Sequence, residues 1–219
     1  MGRNKYTPEQ RTEIITTFLS ATKAILDVEG VKGVSIRKVA ANAGYNSATL
    51  YLYFKDVNDL ITLASIGYLE GYCGMLAHSD ELMPDTLTAY LYSWRVFSRY
   101  ATVYPDIFYQ LFFSKHSEPL SESIERYYSI YPEQLNNLDD KIYDMINRGE
   151  LAERNLVLLT QLAKSNVVET KRIENINRLT VAYFKSLLEE YMEAEDHSMA
   201  DDSIAQKMQE INIFLLQLS

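Results

Sequence analysis

Glycine and proline are scarce in this sequence, which has 8 glycines and 5 prolines among 219 residues. The segment from residue 150 to residue 219 contains neither of them. A sandwich or barrel of many short strands needs turn residues at intervals of about ten positions. Folds of that kind are therefore excluded, and the sequence predicts long helices joined by few turns.

Cysteine is nearly absent, because Cys73 is the only one. No intrachain disulfide can form, which is typical of proteins of the reducing cytoplasm. The first ten residues are polar and lack a secretory signal, and no apolar run reaches the ~18 residues of a membrane-spanning helix. We expect a cytoplasmic protein that has no membrane partner.

Positive charge is in short supply, since 21 Lys and Arg face 30 Asp and Glu for a net charge of −9. That balance excludes an indiscriminate nucleic-acid binder. Residues 1–60, however, carry eight basic and six acidic side chains (net +2), whereas the remainder carries 13 and 24 (net −11). The asymmetry predicts that a small N-terminal part faces an anionic partner.

Catalytic and metal-binding motifs are missing as well. There is no HExxH, GxSxG or phosphate-loop pattern, and His78, His116 and His197 are far apart in the sequence. Paired acidic residues such as Asp139-Asp140 are most simply solvated. We expect no enzymatic activity, no cofactor and no metal site.

A run of short helices is predicted after the first long helix. Ser35 can cap one helix over residues 36–43, and Gly44 permits the left-handed backbone that a sharp turn needs. Asn46 can cap a further helix that runs to about Phe54. Two short helices around such a turn form a helix-turn-helix, whose second helix can enter the major groove of DNA.

The same stretch resembles the N-terminal domain of the tetracycline-repressor (TetR) family of bacterial transcriptional regulators. The family pattern is a small apolar pair, Ala-Gly, a capped helix ending in Tyr-x-x-Phe, a Lys and an acidic-Leu pair. Here it consists of Val39-Ala40, Ala43-Gly44, Asn46, Tyr51, Phe54, Lys55 and Asp59-Leu60. The match covers roughly residues 8 to 65 and departs at Val57, where many members have a second Lys.

This resemblance implies an all-α fold in two parts. Residues 1–56 are expected to form a three-helix, helix-turn-helix DNA-binding domain. Residues 57–219 are expected to form a helical bundle for ligand binding and dimerisation. The sequence predicts that the first helix of this bundle extends from residue 57 to residue 77.

The resemblance also implies roles for individual side chains at a double-stranded DNA operator. Phosphate contacts are expected from hydroxyl and ammonium groups, and base contacts from the start of the recognition helix and from one arginine before it. The candidate DNA-binding residues are Arg37, Ser47, Ala48, Thr49, Tyr51, Tyr53 and Lys55. The alternatives are that the tyrosines only pack and that Arg37 belongs to a solvated face. Arg3 and Lys5 are further candidates for a flexible arm.

Aromatic residues are concentrated between positions 90 and 131, which hold thirteen of the 26 in the chain. Aromatic stripes at helical spacing usually form a filled core. The resemblance implies instead a cavity for a small hydrophobic or aromatic effector. The candidate ligand-binding residues are Trp94, Phe97, Tyr104, Phe108 and Phe112.

The last helix has apolar residues at alternating spacings of four and three, as in a heptad seam. An earlier helix repeats this pattern, so that two helices from each of two chains would form a four-helix bundle. The alternative is that these faces pack inside one chain. The candidate dimerisation residues are Tyr183, Leu187, Met208, Ile211 and Leu215.

The sequence thus favours a ligand-responsive transcriptional repressor. A homodimer would bind a palindromic operator and be released by the effector. The alternative is a protein-interaction adaptor of the same fold that uses DNA as an anchor or not at all.

Overall fold

The computed structural model describes residues 6–77, 83–116, 118–135, 140–194 and 203–217. Within these ranges the backbone forms twelve α-helices and no strand. The helices are α1 (Pro8–Glu29), α2 (Ile36–Asn42), α3 (Ser47–Leu50), α4 (Val57–Ile66), α5 (Leu69–Ala77), α6 (Thr86–Val103), α7 (Pro105–Phe113), α8 (Leu120–Ile130), α9 (Asp140–Asn147), α10 (Leu151–Lys164), α11 (Ile173–Glu193) and α12 (Ser203–Gln217). The all-α prediction is confirmed, and Arg3 and Lys5 lie outside the described residues.

Helix α1 begins at a capping box. The Gln10 backbone N–H donates to the Thr7 hydroxyl at 3.3 Å, and the Thr7 N–H donates to the Gln10 side-chain carbonyl at 2.9 Å. These two bonds satisfy N–H groups that a helix start leaves free. The helix ends at Gly30, whose φ of +67° is left-handed and favours glycine.

Helices α1, α2 and α3 form a small three-helix unit whose buried side chains are part of the core of the chain. Phe18 of α1 is fully buried and meets Phe54 edge-on at 6.0 Å between ring centroids. Val39 of α2 and Leu50 of α3 are fully buried in the same core cluster. Each such side chain contributes about 1.5–3 kcal/mol through burial, which holds the two short helices on the long one.

The remaining helices pack around an aromatic centre. Helix α4 joins the two parts, since it contacts α1 on one side and α7 and α8 on the other. Helix α12 packs along α6 and α11, and α10 packs between α6 and α11. None of the described helices is both long and apolar enough to cross a membrane.

Two helices depart by more than one residue from their predicted bounds. The helix predicted over 57–77 is broken after Ile66, because Gly67 and Tyr68 turn and Tyr68 is buried with its hydroxyl donating to Asp27 of α1 at 2.5 Å. The recognition helix ends at Leu50 rather than Phe54. A 3₁₀ turn at Pro132–Leu135 follows α8, and the described residues resume with α9 at Asp140.

Candidate nucleic-acid interface and ligand cavity

The start of α3 is built by a turn and a cap. Gly44 has a φ of +73° in the turn between α2 and α3. The Asn46 side-chain oxygen then accepts the Thr49 backbone N–H at 2.9 Å and the Thr49 hydroxyl at 3.1 Å. Beside this cap, Ala48 is exposed and Ser47 is half-buried.

The predicted DNA-binding side chains lie around this turn. Arg37, Ala48, Tyr51 and Lys55 are exposed, and the other three are half-buried, namely Ser47, Thr49 and Tyr53. The aromatic side chain of Tyr53 packs against the core, and the Thr49 hydroxyl already donates to Asn46. Leu52 was not predicted, yet it is 71% exposed beside Tyr51. The sequence signal for it is an apolar residue two positions after the end of the recognition helix.

Two ion pairs tie the end of the helix-turn-helix to α8. Lys55 pairs with Glu118, which stands just before that helix. Arg126 of α8 donates to the buried Asp59 carboxylate at 2.8 Å and to the Tyr53 carbonyl at 2.6 Å. The candidate phosphate contact at Lys55 is therefore engaged by a carboxylate of the second part of the chain.

The charges at this junction stabilise one another. Burial by itself would raise the pKa of Glu118, but hydrogen bonds from Lys55 and Ser123 and the nearby positive charges lower it overall. The hydrogen bond to Glu118 likewise raises the pKa of Lys55. Both groups are charged at neutral pH, so the pair persists unless a stronger anion displaces Glu118.

A further contact joins α1 to the second part. The Asp106 carboxylate at the start of α7 accepts the Val31 backbone N–H at 2.6 Å. A Cβ at Gly30 would lie 2.4 Å from this carboxylate. The close approach explains why a residue without a side chain stands at the end of α1.

The aromatic region is almost completely filled. One cavity lies between α5, α6, α9 and α10, and about 20 Å³ of it is open to the centre of a water molecule. That is enough for about one water. Its wall consists of Tyr72, Ser93, Trp94, Phe97, Met145, Leu151, Arg154, Asn155 and Leu158.

Two of the five predicted ligand-binding residues, Trp94 and Phe97, line this cavity. Phe108 and Phe112 stand behind Phe97, each with its ring centroid 5.3 Å away, and are not in the wall. Tyr104 is remote from it and packs edge-on against Tyr68 at 4.8 Å. The sequence pattern also gave no sign of Arg154, which resembles a surface cation on an amphipathic helix.

The predicted dimerisation residues divide between the core and the surface. Leu187, Met208 and Leu215 are buried inside the chain, because α11 and α12 turn these side chains towards α6 and each other. Ile211 is half-buried, and Tyr183 is 37% exposed. The apolar side chains left open on these two helices include Leu179, Tyr183 and Phe214.

Comparison with known proteins agrees with this geometry. Residues 18–62 match the model of the bacterial regulatory proteins, tetR family. A TetR-family transcriptional regulator from Mesorhizobium loti has a similar structure (TM-score 0.54, 11% identity, 96% of this chain and 98% of that one). A transcriptional regulator from Pseudomonas aeruginosa is comparable (TM-score 0.53, 16% identity, 97% and 93%).

No curated protein matches the chain significantly. At these identities the two structures support the fold, whereas the family model covers the helix-turn-helix itself. The matched residues include the second half of α1, the whole of α2 and α3, and the capped turn between them. Residues 18–62 therefore match the DNA-binding domain of the tetR family of bacterial transcriptional regulators, and the fold of the whole chain is similar to that of such regulators.

Proposed function

We propose that the chain is a transcriptional repressor that binds a palindromic operator as a homodimer in the cytoplasm and is released by a small effector. The observation that carries the proposal is the exposed end of the helix-turn-helix. Arg37, Ala48 and Tyr51 are exposed there, and none of the described carboxylates pairs with Arg37. Arginine recognises guanine through O6 and N7, and an alanine methyl contacts thymine.

The junction between the two parts supports release by an effector. Helix α9 contributes Met145 to the cavity wall and packs against α8. Arg126 of α8 holds Asp59 and the Tyr53 carbonyl at the end of the recognition element. A ligand that widens the cavity would move α9 and α8, and with them the recognition helix. An effector of this kind needs different affinities for the two arrangements.

A homodimer is supported by the open apolar face of α11 and α12. The two helices run antiparallel, since Arg172 at the start of α11 donates to the Leu215 carbonyl at 2.8 Å. Leu179 and Phe214 are 51% and 56% exposed on this pair. A second copy packed there would complete a four-helix bundle and place two recognition helices for two half-sites.

Two observations favour the alternative of a protein-interaction adaptor. Lys55 is occupied by Glu118, and Val57 stands where many members have a second Lys. Both facts weaken the phosphate contacts expected at this edge. An adaptor of this fold would bind another protein through its acidic second part. No catalytic role is proposed, because regulators of this family are generally non-enzymatic.

Selection of bound sequences from random double-stranded DNA tests the proposal. We expect the purified chain to enrich a single palindrome and the Arg37→Ala variant to lose one base preference symmetrically in both half-sites. Lys32→Ala is the matched control, because Lys32 is an exposed cation outside the helix-turn-helix. Enrichment of no sequence would reject the repressor and favour the adaptor.

A further inference from the structure

Arg154 is a buried cation whose hydrogen bonds are incomplete. Its side chain is on α10 and the residue is only 2% exposed. Nε donates to the Gly149 carbonyl at 2.8 Å, and Nη2 donates to the Ile146 carbonyl at 3.1 Å. Nη1 is buried and has no hydrogen-bond partner. Among the described residues, no carboxylate forms an ion pair with this guanidinium.

A structural role accounts for part of this arrangement. The Ile146 and Gly149 carbonyls lie at the C-terminal end of α9, where a helix carries a partial negative charge and a basic side chain is favourable. The Phe112 ring lies 5.2 Å from the guanidinium carbon and adds a cation–π contact. A helix end supplies only about half a charge, and Nη1 remains without an acceptor.

The neighbouring acids do not supply the missing anion. Burial raises the pKa of Cys73 to about 12. Burial also raises the pKa values of Tyr72 and Tyr128, so all three groups stay neutral at physiological pH. Glu150 attracts the guanidinium from one helical turn away, but its side chain is exposed. An arginine side chain keeps its proton even when it is buried. Burying a charge that has no counter-ion costs free energy.

The cavity is adjacent to this cation. Its wall is largely apolar, with Tyr72, Trp94 and Phe97 on one side. Two further polar wall residues, Ser93 and Asn155, already have hydrogen-bond partners inside the protein. Ser93 donates to the Ala89 carbonyl at 2.9 Å, while Asn155 accepts from Trp94 at 2.8 Å and donates to Asn177 at 2.9 Å. Among these wall residues, Arg154 is the one that has a buried donor nitrogen without a hydrogen-bond partner.

We propose that the effector is a small apolar carboxylate whose carboxylate group binds Arg154 and whose body lies against Trp94 and Phe97. This assignment rests on the proposed function for the role of the ligand as effector, although binding itself does not depend on DNA. A carboxylate accepts two parallel hydrogen bonds from a guanidinium, and such charge-assisted bonds are strong. Since the cavity has room for only about one water, its walls must part to admit the ligand.

Fluorescence provides a direct test, because Trp94 is the only tryptophan and lines the cavity. The full chain without DNA is titrated with benzoate, phenylacetate and hexanoate, and with the primary amide of each. We expect at least one acid to change the emission saturably and to bind about 10-fold or more tightly than its amide. If no acid binds, or if acid and amide bind equally, the carboxylate site is rejected.

A variant series assigns the preference to Arg154. Arg154→Met is expected to weaken binding of the acid about 10- to 100-fold and to leave binding of the amide unchanged. Lys164→Met is the control, because it removes an exposed cation from the same helix. An Arg154→Met protein that folds and binds the acid as well as the unmodified chain would overturn the assignment. If this variant does not fold, the ratio of acid affinity to amide affinity in the unmodified chain decides whether the carboxylate site exists.

Failure of the inference is distinguishable from failure of the proposed function. Operator DNA obtained by selection is titrated with protein in the presence and absence of the acid that binds. Release of DNA supports the effector role, and unchanged operator binding overturns that role while the carboxylate site stands. Absence of any operator would reject the repressor, and the fluorescence titration would still decide whether the site binds carboxylates.

Discussion

At the scale of single residues, the ammonium group of Lys55 has two candidate partners, the Glu118 carboxylate and a DNA phosphate. This group is paired with Glu118, whereas a DNA phosphate would need the same group. We predict that Glu118→Gln raises operator affinity, because it releases Lys55. Lys55→Gln should lower affinity for all sequences and reduce the slope of log affinity against log salt by about one. Fluorescence anisotropy at several salt concentrations measures both effects.

The control for this pair is Glu125→Gln, which removes the same charge from an exposed position of α8. If Glu125→Gln raises affinity as much as Glu118→Gln does, the gain comes from net charge and not from Lys55. An unchanged salt slope in Lys55→Gln would show that this side chain does not contact phosphate.

The second prediction at this scale concerns the buried carboxylate of Asp59. Its carboxylate is fully buried, and it accepts from Arg126, whose side chain is 28% exposed. Removing one partner of a buried pair leaves an uncompensated charge, so Arg126→Met should cost about 3 kcal/mol of unfolding free energy. The Arg126→Met/Asp59→Asn double variant should lose less than the two single variants together. Urea denaturation measures all three, and additive losses would contradict the coupling.

Single residues also show the limit of prediction from sequence. The caps at Thr7, Ser35 and Asn46 follow from local chemistry, and the structure has all three. Arg154 could not be predicted, because its burial depends on how α5, α6 and α9 close over α10. Its sequence neighbours Glu153 and Asn155 give it the appearance of a surface position, although Asn155 is also buried.

At the scale of elements, the turn between α2 and α3 depends on Gly44. Its φ of +73° is unfavourable for other residues, although a Cβ there would meet nothing within 4 Å. Gly44→Ala should therefore cost about 1 kcal/mol from backbone strain alone, and Gly44→Asn should cost less, since asparagine tolerates this region. Thermal unfolding and operator binding of both variants test the prediction.

Gly74 is the matched control for Gly44. It lies inside α5 without a positive φ, and a Cβ there also meets nothing within 4 Å. Gly74→Ala should stabilise the chain by about 0.5–1 kcal/mol, because alanine favours a helix interior. Equal effects at the two positions would contradict the explanation by backbone conformation.

Elements were predictable where their signals are local. Helix α6 occupies Thr86–Val103 between two local signals, because Asp85 caps its start and Pro105 follows its end. The break at Gly67 was not predictable, since it depends on Tyr68 reaching Asp27 on α1. The apolar spacing in the last helix predicts a buried face. It does not tell whether Met208 packs inside its own chain, as it does, or against a second copy.

At the scale of the whole molecule, the charge of −9 separates into a net +2 for residues 1–60 and a net −11 for the remainder. The helix-turn-helix lies within the less acidic part. We infer that the acidic body repels the duplex and leaves the end around α3 as the face that approaches DNA. The ion pairs of Lys55 and Arg126 join these two regions at their boundary.

Assembly is the last property that depends on the whole molecule. The open face of α11 and α12 includes Leu179, Tyr183 and Phe214, so Leu179→Lys/Phe214→Lys should give a folded monomer. Because two linked modules gain about 10²–10⁴ in avidity, operator affinity should fall by a similar factor. Val103→Lys is the control, because Val103 is 59% exposed at the end of α6.

Sedimentation velocity of the three proteins at micromolar concentration measures assembly, and circular dichroism establishes that each is folded. If the double variant remains dimeric, the dimer interface does not lie on this face. An unmodified chain that sediments as a monomer would contradict the homodimer itself. If the double variant is monomeric and still binds the operator with full affinity, DNA recognition does not require the dimer. Each half-site would then be bound by one recognition helix independently.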